Sequence, residues 1–397
     1  MRGVREVLAA ASLSRLAGRM LMLAIVLYAL DRFRSPALAG WVSFAAMAPG
    51  LAISPLAGAL LDRIGAAKAI VVDMAASAVL LLVLAVTGMV EAMSAPLLLA
   101  LVALYSLTSP LGAAGIRTLI PNVVPTDTLD RANALDTSSY AIIDVLGPAL
   151  AGVVFGFAGP DRTMFLIALL YALASVSLAP LMRRMPAHRS EPASPLIQEA
   201  IAGVAYVMRH RSLRGLAVSY SLYQVSWGVL VVAVPVTVMH ELGAGSIGDS
   251  VTGGLWAIAG LAGALGALCT GQLRTMHRER QLIAIGTLAT AAAIYPLSAA
   301  LGLVGLTLGL ALVGFFAGPI DVGLLSLRQR RTEASWFGRA LAVSWSLNMS
   351  GLPLGSALAG LLVTRSLSAA FAVAAIAAAL SGAAAYALVP AHPDKAA

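Results

Sequence analysis

Charged residues make up 11% of the 397 residues, against about 25% in soluble domains. That shortage excludes a soluble globule. Cysteine occurs once, at Cys269, which excludes an internal disulfide and a thiolate metal cage. Lysine is almost missing too: of 26 basic residues only Lys68 and Lys395 are lysine, a bias to which no functional weight attaches. No nucleotide-binding glycine loop is present. Gly260-x-x-Gly263-x-x-Gly266 lies within an apolar run with no strand before it, so it reads as a helix-packing face. His240-Glu241 has no second histidine four residues after the first, which removes the zinc-hydrolase pattern. Asn348-Met-Ser350 is likewise inside an apolar run, where no glycan can be attached. The expectation is therefore no catalytic residue, no metal, no cofactor and no enzyme activity, with ion gradients as the energy source.

What the chain has is apolar length. At 60% apolar it holds about 238 such residues, and a bilayer-crossing helix needs roughly 20. Runs of spanning length fall at about 8–30, 37–60, 67–90, 95–118, 133–158, 162–182, 213–238, 251–272, 281–302, 304–327, 339–363 and 367–389. They are numbered here as spans 1 to 12. Spans 9 and 10 are divided only by a glycine hinge near Gly302 and Gly305. Arg15 and Arg19 interrupt the first run and no cleavage site follows, so it reads as an uncleaved span, not a secretory signal. With the N-terminus in the cytoplasm, only Arg32, Arg34, Arg162 and Arg365 of the 26 basic residues lie outside. The positive-inside rule selects that orientation, with both termini cytoplasmic. The net charge of +8 is thus a sign of topology and not of nucleic-acid binding.

The long polar connection from Arg183 to about Arg214 divides the spans six and six. From Leu196 to Met208 it turns amphipathic, with Ile197, Ile201, Val204, Ala205 and Met208 at helical spacing, which suits a helix on the inner membrane surface. The halves repeat at an offset of 208 residues: Gly58-Ala59-Leu60 maps onto Gly266-Ala267-Leu268, Arg131-Ala132 onto Arg339-Ala340, Ser138 onto Ser346, Gly147 onto Gly355, and Ala149 to Gly152 onto Ala357 to Gly360. The expected fold is an all-α membrane protein of twelve transmembrane helices in two pseudo-symmetric six-helix bundles, residues 1–185 and 213–397, joined by a cytoplasmic linker at 186–212. This layout is typical of transporters that rock one half against the other.

After span 2 the chain reads Gly58-Ala-Leu60-Leu-Asp62-Arg63-Ile-Gly65-Ala-Ala-Lys68. Gly58 permits close helix packing, Gly65 a tight turn, and an acid at a helix end can meet the positive N-terminus of a neighbouring helix. The loop resembles the G-x-L-x-D-R-x-G-R-K signature of the major facilitator superfamily, except that Ala66-Ala67 stands where the basic pair is expected. The resemblance implies that Asp62 faces the start of span 11, near Phe337 to Arg339; Arg117 is a second partner within reach. Span 5 carries Gly147-Pro148-Ala-Leu-Ala151-Gly152, which resembles the G-P-x-x-G-G pattern of that superfamily's exporters. Leu129-Asp-Arg131-Ala-Asn133-Ala-Leu135 and Leu327-Arg328-Gln-Arg330-Arg331 are similar to inner loops of its bacterial drug and siderophore exporters. The likeness implies export, a small-molecule substrate and coupling to protons.

Ions inside a membrane face a cavity or a partner, because insertion disfavours them by about 2.5–3.5 kcal/mol. Arg15 and Arg19 in span 1, Asp73 in span 3, Asp136 and Asp144 in span 5 and Asp321 in span 10 are of this kind. Arg19 and Asp144 lie at similar depth, and the resemblance makes their spans neighbours, so an ion pair is expected. Asp321, after Gly318-Pro319, is either the proton carrier or a hydrated group bonding span 11. Asp73, near the inner end of span 3, is read as structural. Tyr220, Tyr223, Gln224 and Trp227 share one face of span 7. With Tyr105 and Ser109 of span 4 and Ser344, Trp345 and Asn348 of span 11, they are expected to line a substrate cavity. The sequence thus reads as a monomeric secondary transporter of the bacterial inner membrane, exporting small amphipathic compounds in exchange for protons. Uptake, facilitated diffusion, or a non-transporting receptor with the same fold are the alternatives.

Overall fold

A computed structural model describes residues 2–123, 129–184, 196–272, 278–298, 301–332 and 337–391, and all regular structure among them is helical. The helices are α1 (Arg2–Phe33), α2 (Pro36–Ala45), α3 (Ala48–Ile64), α4 (Ala66–Met89), α5 (Ala95–Val123), α6 (Leu129–Ala158), α7 (Pro160–Arg184) and α8 (Leu196–Arg209) in the first part. The rest are α9 (Arg211–Leu242), α10 (Ser246–Gly271), α11 (Glu279–Ala293), α12 (Tyr295–Ser298), α13 (Gly302–Arg331), α14 (Phe337–Met349), α15 (Gly351–Leu362) and α16 (Leu367–Leu388). By length and composition, α1, α2 with the start of α3, α4, α5, α7, α9, α10, α13 and α16 each suffice to cross a membrane. The other three spans are α6, whose apolar stretch is confined to Ile142–Ala158, and the divided pairs α11 with α12 and α14 with α15. Twelve spans result.

The divisions follow proline. Spans 2, 9 and 11, read from the sequence as single helices, break just ahead of Pro49, Pro296 and Pro353. Proline lacks an N–H and disfavours helix in the residue before it, yet fits the first turn of a new helix. Pro148, Pro180, Pro235 and Pro319 instead sit inside unbroken helices. Ser35 and Ser366 cap α2 and α16 by accepting from the N–H of Leu38 and Ala369, each at 3.2 Å. Gly65 turns the chain between α3 and α4 at φ 84°, a left-handed position open chiefly to glycine.

Each half is tied at both ends. Arg184 approaches Glu6 at 3.6 Å, and Arg331 donates to Ser212 Oγ and the Pro390 carbonyl, both at 2.9 Å. Both ends of the chain therefore lie on one face, called here the terminal face. On the opposite, distal face, Arg32 donates to the Gly88 carbonyl at 2.9 Å and Tyr28 to Asp161 at 3.0 Å, which binds α1 to α4 and α7. The amphipathic α8 packs Tyr206 and Val207 against Leu213 and Val343, and leaves Ile201, Val204 and Met208 exposed.

Two glycine contacts join the halves toward the distal face. A Cβ on Gly360 of α15 would come within 3.0 Å of Gly40 Cα in α2. One on Gly152 of α6 would come within 2.6 Å of Gly253 Cα in α10. Backbone meets backbone at both places, the approach that small residues permit between membrane helices.

Candidate functional site

The intramembrane charges gather where α1 and α6 face the second half. Arg19 is the eighteenth of the 32 residues of α1 and Asp144 the sixteenth of the 30 of α6, so both lie half way along their helices. Arg19 Nε and Asp144 Oδ1 are 2.6 Å apart, with side chains 45% and 47% exposed. Gly147 makes the approach possible, since a Cβ there would collide with Arg19 Cβ. One residue on, the Pro148 carbonyl lies 2.8 Å from where a Cβ on Gly253 would stand. The Gly-Pro pattern of span 5 thus fits α6 to the ion pair on one side and to the other half on the other.

Below this pair lies a more enclosed one. Arg15 Nη1 is 2.7 Å from Asp136 Oδ1, with side chains 8% and 14% exposed. It also donates to Ser139 Oγ at 3.0 Å, and its guanidinium lies 3.7 Å from the Tyr140 ring centroid. These interactions on one arginine lock α1 to α6 toward the terminal face.

The second half treats its charges differently. Asp321, in α13, has an exposed side chain and accepts a hydrogen bond from Tyr220 Oη at 2.7 Å. No cation pairs with it among the described residues. Asp144, a carboxylate of the other half, stands within electrostatic range of it. Seven residues along α13, and hence on the same helical face, Arg328 is 3% exposed. Its Nη2 donates to the Asn348 amide oxygen, while the Asn348 nitrogen donates to the Ser344 carbonyl at 3.1 Å.

Much of the expected cavity wall is packing instead. Tyr223, Gln224 and Asn348 are 1%, 7% and 1% exposed, and Tyr105 and Tyr220 are also buried. Gln224 Nε2 lies 2.9 Å from Met349 Sδ, and Tyr105 shares a hydrogen bond of 2.6 Å with Tyr171. In the stripe of span 7, Tyr220 and Tyr223 pack with Ile283, Ala284, Ile320 and Leu324 of α11 and α13, while on the adjoining face of α9 Gly228, Gly351 and Gly355 let α15 settle so closely that a Cβ at any of the three would strike the opposite helix. Trp227 stays partly exposed against Trp256, the ring centroids 5.9 Å apart, and Trp345 is exposed. Asp73, read from the sequence as structural, is buried in α4 with Oδ1 unpartnered among the described residues. The surroundings of Gly58 and the side chains of Asp62, Arg63, Arg117, Arg131, Asn133 and Arg339 lie outside the described set.

Sequence reasoning missed two features here. Arg328 was read as part of a basic inner loop, yet it is a buried side chain of α13; its position seven residues from Asp321 was the available signal. Ser54 of α3 meets Ser346 of α14 by a hydroxyl contact across the halves, and nothing in the local sequence marks that pair.

Two six-helix halves that meet through glycine, with accessible charges at mid-span between them, define a polytopic membrane transporter. The family model of the Major Facilitator Superfamily matches residues 7–356, and the chain belongs to that superfamily. It is 48% identical over 388 residues to the uncharacterized MFS-type transporter y4rN of Sinorhizobium fredii, covering 98% of this chain and 95% of that one. Among solved structures it resembles a point mutant of the nucleoside transporter NupG, with a TM-score of 0.77 at 12% identity over 98% and 100% of the two chains. It also resembles a POT family transporter in complex with 5-aminolevulinic acid, with a TM-score of 0.76 at 11% identity over 96% and 95%. At such identities the two structures speak for the fold alone.

Proposed function

We propose that the chain is a secondary active transporter that exports small amphipathic compounds across the bacterial inner membrane in exchange for protons, by alternating access. The observation that carries this reading is Asp321: an accessible carboxylate inside a spanning helix, held by a neutral hydroxyl and unpaired with any described cation. Such a group gains and loses a proton more readily than one already neutralised by arginine. Arg19 and Asp144 form the switchable pair facing it. Residues 1–185 and 213–397 are the moving halves, 186–212 the connection, and the terminal face is cytoplasmic by the distribution of arginine. Export is supported by the Gly147-Pro148 pattern, and a monomer suffices because both halves belong to one chain. One charge crossing 100 mV releases about 2.3 kcal/mol, enough to concentrate a solute tens of times.

Purified protein in liposomes under an imposed pH gradient tests the reading. A panel of labelled amphipathic compounds is expected to move against the proton flow, and flux indifferent to the gradient would remove proton exchange. Flux running with the protons would assign uptake.

A further inference from the structure

Arg328 is hard to account for as a structural residue. A guanidinium carries five N–H donors and cannot shed its charge, and burying one without an anion is strongly unfavourable. Here the side chain is 3% exposed, yet no carboxylate pairs with it among the described residues. The partner that the structure gives it is the neutral Asn348. Arg328 Nε and Ser344 Oγ are both buried with no hydrogen-bond partner among the described residues. Two donors from adjacent helices are thus left beside one positive charge.

Arg328, Ser344 and Asn348 are 3%, 3% and 1% exposed, so the corner is closed in this conformation, and its surroundings say what it adjoins. On α14, Val343 and Leu347 pack under α8 at the periphery of the bundle, and Ser346 meets Ser54 of the other half. At 100° per residue, Trp345 falls opposite the α8 side, toward the space between the halves, where its ring is 51% exposed. Tyr220, which donates to Asp321, lies within electrostatic range of Arg328. The corner therefore adjoins the site described above through Tyr220.

We propose that Arg328, Ser344 and Asn348, packed shut in this conformation, become a recognition site for the carboxylate of an amphipathic acid when the halves move, with its apolar or aromatic body lying on Trp345. The proposal rests on the transport reading for its placement and names the substrate class for it. Guanidinium N–H groups and a hydroxyl match carboxylate geometry, and an exposed indole offers a flat apolar surface. Asp321, two turns along the same face, stays free for the proton.

Equilibrium binding, which needs no transport, tests it. The probes are labelled 1-naphthylacetate and its neutral amide, with purified full-length protein in phosphatidylcholine nanodiscs. The acid is expected to bind at least tenfold more tightly than the amide. Arg328→Gln should erase that preference while amide binding changes less than about twofold, and Arg328→Lys should keep part of it. Ser344→Ala, which removes only a hydroxyl, should weaken acid binding about three- to tenfold and so covers the case in which Arg328→Gln fails to fold. Equal binding of acid and amide, no binding of the acid, or a preference that survives loss of Arg328 and of Ser344 overturns the proposal. A phosphate head group offers similar oxygens; if added phosphatidylglycerol displaces the acid only when Arg328 is present, the site belongs to lipid and the substrate assignment fails. Flux indifferent to a pH gradient would overturn proton exchange and leave these binding results standing.

Discussion

The charges that α1 and α6 bring to the interior of the first half are paired, whereas those on α13 of the second half stand apart. Arg15 with Asp136 and Arg19 with Asp144 are joined at 2.7 and 2.6 Å, whereas Asp321 and Arg328 share one helix face and each takes a neutral partner, Tyr220 and Asn348. Paired charges hold helices in place, and unpaired ones are available to something else. On the proposed reading the enclosed Arg15 pair is the support, the half-exposed Arg19 pair is the switch, and α13 carries the working charges. The contrast also grades the pairs, since the Arg15 pair is enclosed and the Arg19 pair is about half exposed.

Removing the carboxylate of Asp321 should show the difference most strongly. Asp321→Asn is expected to lower gradient-driven flux at least a hundredfold while the purified protein stays monodisperse; flux within threefold of the parent would break the contrast. Next comes Arg15→Gln, which strands Asp136 in an enclosed site and should destabilise by about 3–5 kcal/mol. Arg19→Gln at the exposed pair should remove only about 1 kcal/mol. Thermal unfolding of both variants, with Asp136→Asn and Arg15→Gln/Asp136→Asn to complete the cycle at the enclosed pair, measures the gap, and equal losses would contradict the grading. The smallest effect belongs to Tyr220→Phe, which deletes one hydrogen bond of roughly 1 kcal/mol. It should shift the midpoint of the flux–pH profile without abolishing transport, and a null result there would mean that the hydroxyl does not tune Asp321.

The sequence was informative where a rule is local or periodic. Twelve apolar runs, the tight turn at Gly65, the amphipathic face of α8 and the common depth of Arg19 and Asp144 all follow from spacing along one chain. The proline-linked breaks in spans 2, 9 and 11 were missed because hydropathy ignores the backbone N–H, and the same residue type is tolerated inside α6, α7, α9 and α13. Which side of an aromatic stripe is covered depends on helices far along the chain, as where Ile283 of α11 and Ile320 of α13 pack with Tyr220 and Tyr223. Arg328 was hidden by its neighbours: next to Arg330 and Arg331 it looks like one more surface cation. Only the packing of α14 shows that it points inward.

The glycine contacts of the distal end carry a mechanical consequence. Where Gly40 meets Gly360 and Gly152 meets Gly253, a single added methyl would strike backbone. Each joint therefore sets how near the two halves can come, and it behaves as a doorstop that a methyl at Gly152 or Gly360 would move outward.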